Sequence, residues 1–122
     1  MNWTIALAVA VILALFLMIT KAGQISAKEA SAYLKSGALV IDVRTLAEYN
    51  SGHLTNAINI PLDQIETGVP QRCKDKSQVL LLHCASGMRS GLAQKKLNGL
   101  GYTNAFNLGA YRRAESLVNQ KN

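Results

Sequence analysis

QVLLLHCASGMRSGLAQKKLNGLG, residues 78–101, contains the pattern from which the fold class can be inferred. It begins with the apolar segment QVLLLH, which is typical of a buried strand. A short polar loop with one cysteine follows, and Leu92, Ala93 and Leu97 after it have helical spacing. Gly101 is the type of residue that ends a helix. A strand, a tight loop and a helix in this order indicate an α/β domain.

The same alternation of helix and strand patterns runs through the chain from residue 26 onward. SAKEASAYLKSG predicts a helix, because Ser26 and Glu29 form a capping-box pattern, and ALVIDV predicts a buried strand. A second capping-box pattern, at Thr45 and Glu48, begins the short helix TLAEYN. AINI, NAFNL and AYRRAESLVNQ predict two more strands and a closing helix. Strands that alternate with helices predict an α/β fold with a mainly parallel sheet.

Polar residues follow two of the predicted strands. Asp42 and Arg44 come at the carboxyl end of the first strand, and Cys84 comes at the carboxyl end of the third. In parallel sheets, ligands bind at the carboxyl ends of the strands. We therefore predict one site built from both strand ends, with Cys84 at its centre.

The N-terminal segment is apolar. Its first twenty residues carry no charged side chain, and Ile5 to Ile19 form an unbroken apolar run. About 18 or more apolar residues are typical of a transmembrane helix, and Trp3 lies where interfacial aromatic residues are enriched. A cleaved signal peptide is the alternative, although no basic residue precedes the run and TKAG is a poor cleavage site. We predict a transmembrane anchor or signal peptide over residues 1–21, a linker over residues 22–25 and one domain over residues 26–122.

The lysines predict which side of the membrane the domain would occupy. Lys21, Lys28 and Lys35 follow the apolar run, and no basic residue precedes it. By the positive-inside rule, this single-pass protein would have its domain in the cytoplasm, with the lipid bilayer as the partner of residues 1–21. The periplasm is the alternative.

Positive charge is concentrated in the C-terminal part of the chain. Residues 72–122 contain nine lysine and arginine residues and two acidic residues, a net charge of +7, whereas residues 1–71 have a net charge of −1. This field favours a small anionic substrate. Nucleic acid is not predicted as a partner, because the basic residues are scattered and no aromatic residues interleave with them. Two cysteines without a CxxC pattern, and two histidines far apart, predict neither a metal site nor a disulfide framework.

The loop HCASGMRS, residues 83–90, has features that activate a cysteine. Between a strand and a helix N-terminus, Cys84 would face unpaired N–H groups and the positive end of the helix dipole, which lower the pKa of a thiol. Successive loop amides can bind an anion, Gly87 allows the loop to curl, and Arg89 adds a permanent charge. Ser90 is expected to cap the helix that follows. The alternative is an inert, buried cysteine at the end of a strand.

Two segments, VIDVRTLAEYNSGHLTNAINIPL and VLLLHCASGMRSGLAQKKLNGLGYTNAFNLGA, resemble the single-domain bacterial rhodaneses over residues 25–115. The matching motifs are DVR at residues 42–44, Glu48, GH at residues 52–53, Ala57, NIP at residues 59–61 and CxxGxRS at residues 84–90. The chain is similar in particular to the small phage-shock-type thiosulfate sulfurtransferases that begin with a hydrophobic leader. The resemblance implies a rhodanese-like, three-layer α/β fold with a central, five-stranded, mainly parallel sheet flanked by helices, here preceded by one transmembrane helix.

The resemblance also implies an activity and its residues. The thiolate of Cys84 would attack the sulfane sulfur of a small anionic donor such as thiosulfate and form a persulfide. A thiol or cyanide acceptor would then remove that sulfur, and no cofactor is expected. Backbone N–H groups of the loop would hold the negative charge of the persulfide, over the residues Ala85, Ser86, Gly87, Met88, Arg89 and Ser90. Arg89 would stabilise the loop or meet the anionic end of the donor.

Several residues are expected to support this site rather than to react. Asp42, Arg44 and Glu48 would hold the loop after the first strand, with an Arg44–Glu48 ion pair at helical spacing. His83 is expected to pack or to form a hydrogen bond. Cys73 lies in a polar stretch and would be either a resolving thiol for the persulfide or a solvated bystander.

Two other functions remain open. Cysteine phosphatases also have His-Cys, a loop and an arginine, but five residues separate the cysteine from the arginine, whereas four separate Cys84 from Arg89. A phosphoryl group with three equatorial oxygens needs a wider loop than a persulfide does, so the shorter loop favours sulfur. The second alternative is a non-catalytic rhodanese-like module that tethers a partner at the membrane, and the presence of Cys84 argues against it.

The chain departs from the family pattern at three places. Ser86 stands where two-domain thiosulfate enzymes have a basic residue. Asn56 replaces a glycine, and asparagine tolerates the same left-handed conformation moderately well. Gly109-Ala110 and Tyr111 stand where the family usually has two glycines and a later tryptophan, near the start of the last helix.

Overall fold

Four parallel strands form one sheet in the computed structural model, which describes residues 2–120 apart from the side chains of residues 19–22. The strands are β1 (Leu39–Asp42), β2 (Ile58–Asn59), β3 (Leu80–Cys84) and β4 (Ala105–Ala110). Their order in the sheet is β2-β1-β3-β4. The α/β fold and the parallel sheet predicted from the sequence are therefore confirmed.

Six α-helices accompany the strands in the part of the chain that the structure describes. They are α1 (Trp3–Ala22), α2 (Ala27–Lys35), α3 (Leu46–Ser51), α4 (Ile65–Arg72), α5 (Met88–Gly99) and α6 (Tyr111–Asn119). The predicted N-termini of α2 and α3 are confirmed, because the side chains of Ser26 and Thr45 accept hydrogen bonds from backbone N–H groups of their helices. The side chain of Glu48 accepts a bond from the backbone of Thr45 in return, which completes a capping box.

The sheet has four strands over residues 2–120, not the five that the family resemblance implied. A short extended segment beside β4 forms a single bridge between Gln24 and Asn107, and the N–H of Ile25 donates to the Asn107 carbonyl at 2.9 Å. Ser26 comes next and caps α2. The chain therefore enters a helix before this segment can extend into a fifth strand.

Buried side chains cover both faces of the sheet, because successive residues of a strand point to opposite faces. Leu80, Leu82 and Cys84 of β3 pack in a cluster with residues of α4 and α5, whereas Leu81 packs with residues of α2 and α6. The sheet thus lies between two layers of helices. All five residues of β3 are buried, as expected for a central parallel strand. This arrangement directs Cys84 into the layer that contains α5.

The predicted membrane anchor over residues 1–21 is wrong. Among the described residues, no helix is both long enough and apolar enough to cross a membrane. The single-pass localisation, the cytoplasmic or periplasmic placement derived from it, and the lipid bilayer as a partner are therefore not supported.

Candidate active site

Cys84 is the last residue of β3, and its side chain is fully buried. The backbone N–H of Gly87 donates to its Sγ at 3.0 Å, and the Oγ of Ser90 lies 3.5 Å from the same sulfur. Burial raises the pKa of the Cys84 thiol. Hydrogen bonds from the hydroxyl and backbone of Ser90, and from the backbone of Gly87 and Ser86, lower this pKa by more, so that it lies below the ordinary value. The thiolate is therefore stabilised largely by neutral donors.

The loop curls over the sulfur because Gly87 has a left-handed backbone conformation, with φ of 97°. A Cβ atom at this position would lie 3.1 Å from Nε2 of Gln24 and 3.4 Å from Cα of Gly109. Gly87 is also the N-cap of α5, which begins at Met88. The prediction that Ser90 caps this helix is therefore wrong, since Ser90 lies inside its first turn and is fully buried.

The remaining loop residues point away from the core. Ala85 and Ser86 are exposed. Their backbone contacts the start of α6: the Ala85 carbonyl accepts from the N–H of Tyr111 at 3.4 Å, and Ser86 forms a β-bridge with Ala110. The side chain of Met88 is 58% exposed. The loop thus directs backbone donors inward to the sulfur and leaves its outer side open to solvent.

Arg89 forms a bidentate ion pair with Glu48 of α3, with Nη1–Oε1 at 2.7 Å and Nη2–Oε2 at 3.0 Å. The hydrogen bonds from Arg89, and after them those from Thr45, lower the pKa of Glu48 to about 2. Glu48 in turn raises the pKa of Arg89, and Cys84 contributes in the same direction. The predicted Arg44–Glu48 pair is wrong, because Arg44 precedes the N-cap Thr45 and therefore lies outside the helix.

Asp42 and Arg44 form a buried ion pair at the end of β1. The Asp42 carboxylate accepts from Nε of Arg44 at 2.9 Å and from Nη2 at 2.7 Å. The same guanidinium donates to the Gly52 carbonyl at 2.7 Å and lies 4.8 Å from the ring centroid of Tyr111. These contacts join the end of β1 to the residue after α3 and to the start of α6, which is the arrangement expected of supporting residues.

His83 is fully buried and pairs in register with Asp42 across β1 and β3, so the two strand ends do meet as predicted. Its Nε2 lies 3.7 Å from Oδ2 of Asp42 and has no hydrogen-bond partner among the described residues. Burial lowers the pKa of His83, so the ring is neutral near pH 7. It packs edge-on against Tyr111 with the ring centroids 5.7 Å apart, and this agrees with the packing role expected from the sequence.

The second cysteine lies at the other end of the sheet. Cys73 ends α4, is partly buried, and its Sγ donates to the Asp75 carbonyl at 3.4 Å. Its own carbonyl accepts from the hydroxyl of Tyr102, which precedes the amino end of β4. Because Cys84 lies at the carboxyl end of β3, the fold does not support a resolving role for Cys73.

Asn107 of β4 is a candidate functional residue that the sequence interpretation missed. Its side chain is almost completely buried, and it contacts the loop by donating to the Gly87 carbonyl and accepting from the Ser90 hydroxyl. The sequence signal was an amide within the otherwise apolar strand AFNLGA. A buried side-chain amide needs hydrogen-bond partners, and the apolar side chains of the same strand cannot provide them. The partners of Asn107 must therefore come from another part of the fold.

The family assignment follows from a match over most of this structure. Residues 26–112 match the model of the rhodanese-like domain. The chain belongs to the rhodanese-like domain family. That match contains both strand ends of the site and the whole loop from Cys84 to Ser90.

Named relatives indicate the general activity of this rhodanese-like chain. It is 35% identical over 72 residues to the thiosulfate sulfurtransferase PspE of Escherichia coli (strain K12), and this alignment covers 59% of the chain and 69% of PspE. It is 35% identical over 79 residues to the thiosulfate:glutathione sulfurtransferase of Saccharomyces cerevisiae (strain ATCC 204508 / S288c), and this alignment covers 54% of the chain and 55% of that relative. These likenesses support sulfur transfer in general.

A solved structure of similar fold is that of the human single-domain sulfurtransferase TSTD1. The two structures superpose with a TM-score of 0.66 at 29% sequence identity, over 77% of this chain and 96% of that one. The agreement extends over nearly all of a protein that consists of one such domain. It supports the three-layer arrangement described above.

Proposed function

We propose that this chain is a sulfurtransferase in which Cys84 carries a sulfane sulfur from a small anionic donor such as thiosulfate to a thiol or to cyanide. The observation that carries the proposal is the position of the Cys84 sulfur, 3.0 Å from the Gly87 N–H at the start of α5. A thiolate held by uncharged donors is a nucleophile that does not require an adjacent base. The domain proposed to perform this reaction is residues 26–122.

The first half of the reaction loads the cysteine. The thiolate of Cys84 attacks the outer sulfur of thiosulfate, an Sγ–S bond forms, and the S–S bond of thiosulfate breaks. Sulfite leaves with the electron pair of that bond, and the enzyme holds a persulfide anion. The N–H groups of Ser86, Gly87 and Ser90, which already face the sulfur, would stabilise the negative charge.

The second half of the reaction unloads it. A cyanide or thiolate acceptor attacks the outer sulfur of the persulfide, the new bond to the acceptor forms, and the Sγ–S bond breaks. The Cys84 thiolate is regenerated, and thiocyanate or a new persulfide leaves. The electron pairs balance over the two steps, so the cycle closes without an external oxidant or reductant.

Arg89 has a supporting place in this proposal. Nη1 and Nη2 of Arg89 each donate to one carboxylate oxygen of Glu48, so Glu48 fixes the orientation of the guanidinium and neutralises its charge. Of the two roles expected for Arg89, this geometry favours stabilisation of the loop. The exposed side of the loop carries Ser86, and this is the position from which a side chain could contact the anionic end of a donor.

Persulfide formation on the full chain tests the proposal. The reduced protein is incubated with thiosulfate, and intact mass spectrometry should show one added sulfur atom that disappears with cyanide. Cys84→Ser should abolish the adduct, whereas the matched control Cys73→Ser should retain it. No adduct from thiosulfate or any other sulfane donor, or an adduct that remains in Cys84→Ser, would contradict the proposal. Turnover of an aryl phosphate would favour the phosphatase instead.

A further inference from the structure

Asn107 binds two of the residues that contact the Cys84 sulfur. Its Nδ2 donates to the carbonyl of Gly87 at 3.0 Å, and its Oδ1 accepts from the Ser90 hydroxyl at 2.7 Å. Oδ1 also accepts from the N–H of Gly109 at 2.9 Å. One buried amide in β4 therefore contacts both ends of the segment that surrounds the sulfur.

The orientation of this amide is determined by its partners. The Gly109 N–H can only donate and the Gly87 carbonyl can only accept, so the oxygen and nitrogen of Asn107 cannot be exchanged. Oδ1 must therefore face Ser90, and the Ser90 hydroxyl must be the donor in that contact. A serine hydroxyl has one hydrogen to donate.

That single hydrogen has three acceptors within reach. Oδ1 of Asn107 is 2.7 Å from the Ser90 Oγ, the Gly87 carbonyl is 3.2 Å away, and Sγ of Cys84 is 3.5 Å away. With a neutral thiol, the shortest contact takes the hydrogen, and a lone pair of Ser90 is left facing the sulfur. A negatively charged sulfur is a much stronger acceptor, because hydrogen bonds to ionised groups are about twice as strong as neutral ones.

We propose that Asn107 is a positioning residue of sulfur transfer, which fixes the Gly87 N–H on the Cys84 sulfur and holds the Ser90 hydrogen until the sulfur becomes negative. The hydroxyl then rotates from Asn107 to the sulfur. The proposal rests on the proposed function, but its central claim concerns ionisation of Cys84. It can therefore be measured without a sulfur donor.

The charged groups around the sulfur provide a fixed background for this exchange. Arg89 of α5 is the cation whose charge interacts with Cys84, and it is already paired with Glu48 of α3. Asp42 and Arg44 at the end of β1 are paired with each other, and the buried ring of His83 is neutral near pH 7. Near position 107, Lys95 lines the same cavity as Asn107, and Arg113 donates to the carbonyls of Leu108 and Ile25. These two cations would reduce, but not cancel, the effect on the sulfur of a new negative charge at position 107.

The test is the pH dependence of iodoacetamide alkylation at Cys84, measured on the full chain with Cys73→Ser as the common background. Asn107→Asp keeps the size of the side chain but removes the donor to Gly87 and adds a like charge. The midpoint of the alkylation profile should rise by about one pH unit or more. At a pH at least one unit below the midpoint of the background protein, persulfide formation should then slow about tenfold, since there a rise of one pH unit in the midpoint lowers the thiolate fraction tenfold. Asn107→Ala should slow persulfide formation by loosening the loop, but it should raise the midpoint less than Asn107→Asp does, because it adds no charge and releases the Ser90 hydrogen.

Asn104→Asp is the matched control, because it makes the same amide-to-carboxylate change near the opposite end of β4, where Asn104 donates to the Ser77 carbonyl. It should leave both measurements unchanged. A folded Asn107→Asp variant with an unchanged midpoint overturns the proposal. If that variant does not fold, the Ala variant decides: a rate of persulfide formation within about twofold of the background protein overturns the proposal, and a larger loss supports it. Absence of any persulfide in the wild-type protein would overturn the proposed function, while the alkylation profiles would still test Asn107.

Discussion

The ion pair between Glu48 and Arg89 gives a stability prediction that depends on pH. Glu48→Gln keeps the size of the side chain, and glutamine can still accept from the backbone of Thr45 in the capping box. The substitution removes the negative charge that binds Arg89 at 2.7 and 3.0 Å. The variant therefore isolates the contribution of the charge from that of the helix cap.

The structure bounds the size of this contribution. The pKa of Glu48 is about 2 in the folded protein against an ordinary 4.5, which at face value corresponds to about 3 kcal/mol. The two side chains are 34% and 35% exposed, so water and salt screen the pair, and exposed pairs contribute about 0.2–1 kcal/mol. Because the geometry is bidentate, we expect a loss of about 1 kcal/mol in the free energy of unfolding at pH 7. A carboxylate with a lowered pKa stabilises the folded protein fully at pH values above its pKa in the unfolded state, which is about 4.5. The loss caused by Glu48→Gln should therefore shrink as the pH falls below 4.5, and at pH 3 it should be less than about half of the loss at pH 7.

Urea unfolding of the variant and the wild-type protein at pH 7, 4.5 and 3 measures this dependence. Glu66→Gln is the control, since Glu66 contacts Lys96 through a single 3.3 Å approach between side chains that are 57% and 43% exposed. Its loss should be below about 0.3 kcal/mol at every pH. Equal losses in the two variants, or a Glu48→Gln loss that stays constant down to pH 3, would contradict this prediction.

Three further predictions concern stability and donor preference. Burial lowers the pKa of His83, so below pH 6.5 the folded protein binds fewer protons than the unfolded chain, and its free energy of unfolding should fall by up to about 1.4 kcal/mol per pH unit. In urea unfolding from pH 7 to 5, the free energy of unfolding of His83→Gln should fall less steeply with pH than that of the wild-type protein. Equal slopes would contradict this prediction. Asn56 has φ of 68°, so by thermal unfolding Asn56→Ala should cost about 1 kcal/mol and Asn56→Gly should cost less. Ser86→Arg should lower the KM for thiosulfate by about two- to fivefold, the effect of one exposed charge pair, and an unchanged KM would show that the donor does not approach position 86.

The parts of the fold that local sequence patterns determine were predicted correctly. The run QVLLLH forms the buried strand β3, because only an apolar strand can be covered by helices on both faces of a parallel sheet. The capping patterns at Ser26 and Thr45 begin α2 and α3 as expected. Asp42 lies in register with His83, which brings the end of β1 beside Cys84, as sheet topology alone predicts.

The errors concern contacts that depend on residues distant in sequence. Helical spacing assigned Glu48 to Arg44, but its partner Arg89 is 41 residues further along the chain. Ser90 was expected to cap α5, whereas the left-handed Gly87 starts the helix earlier and rotates Ser90 into the core. Asn107 was included in an apolar strand pattern, because its partners in the loop become neighbours only after β3 and β4 pair.

The electrostatics of the loop explain why its donors are mostly backbone amides. The pKa of Glu48 is lowered and lies far below the range in which a thiol ionises, so Glu48 stays charged and neutralises Arg89 across that range. The N–H groups of Ser86, Gly87 and Ser90 do not titrate. These backbone donors therefore keep their charge while the Cys84 sulfur alone changes its charge. It follows that the rate of persulfide formation should rise with pH along a single limb, whose midpoint is the pKa of the Cys84 thiol.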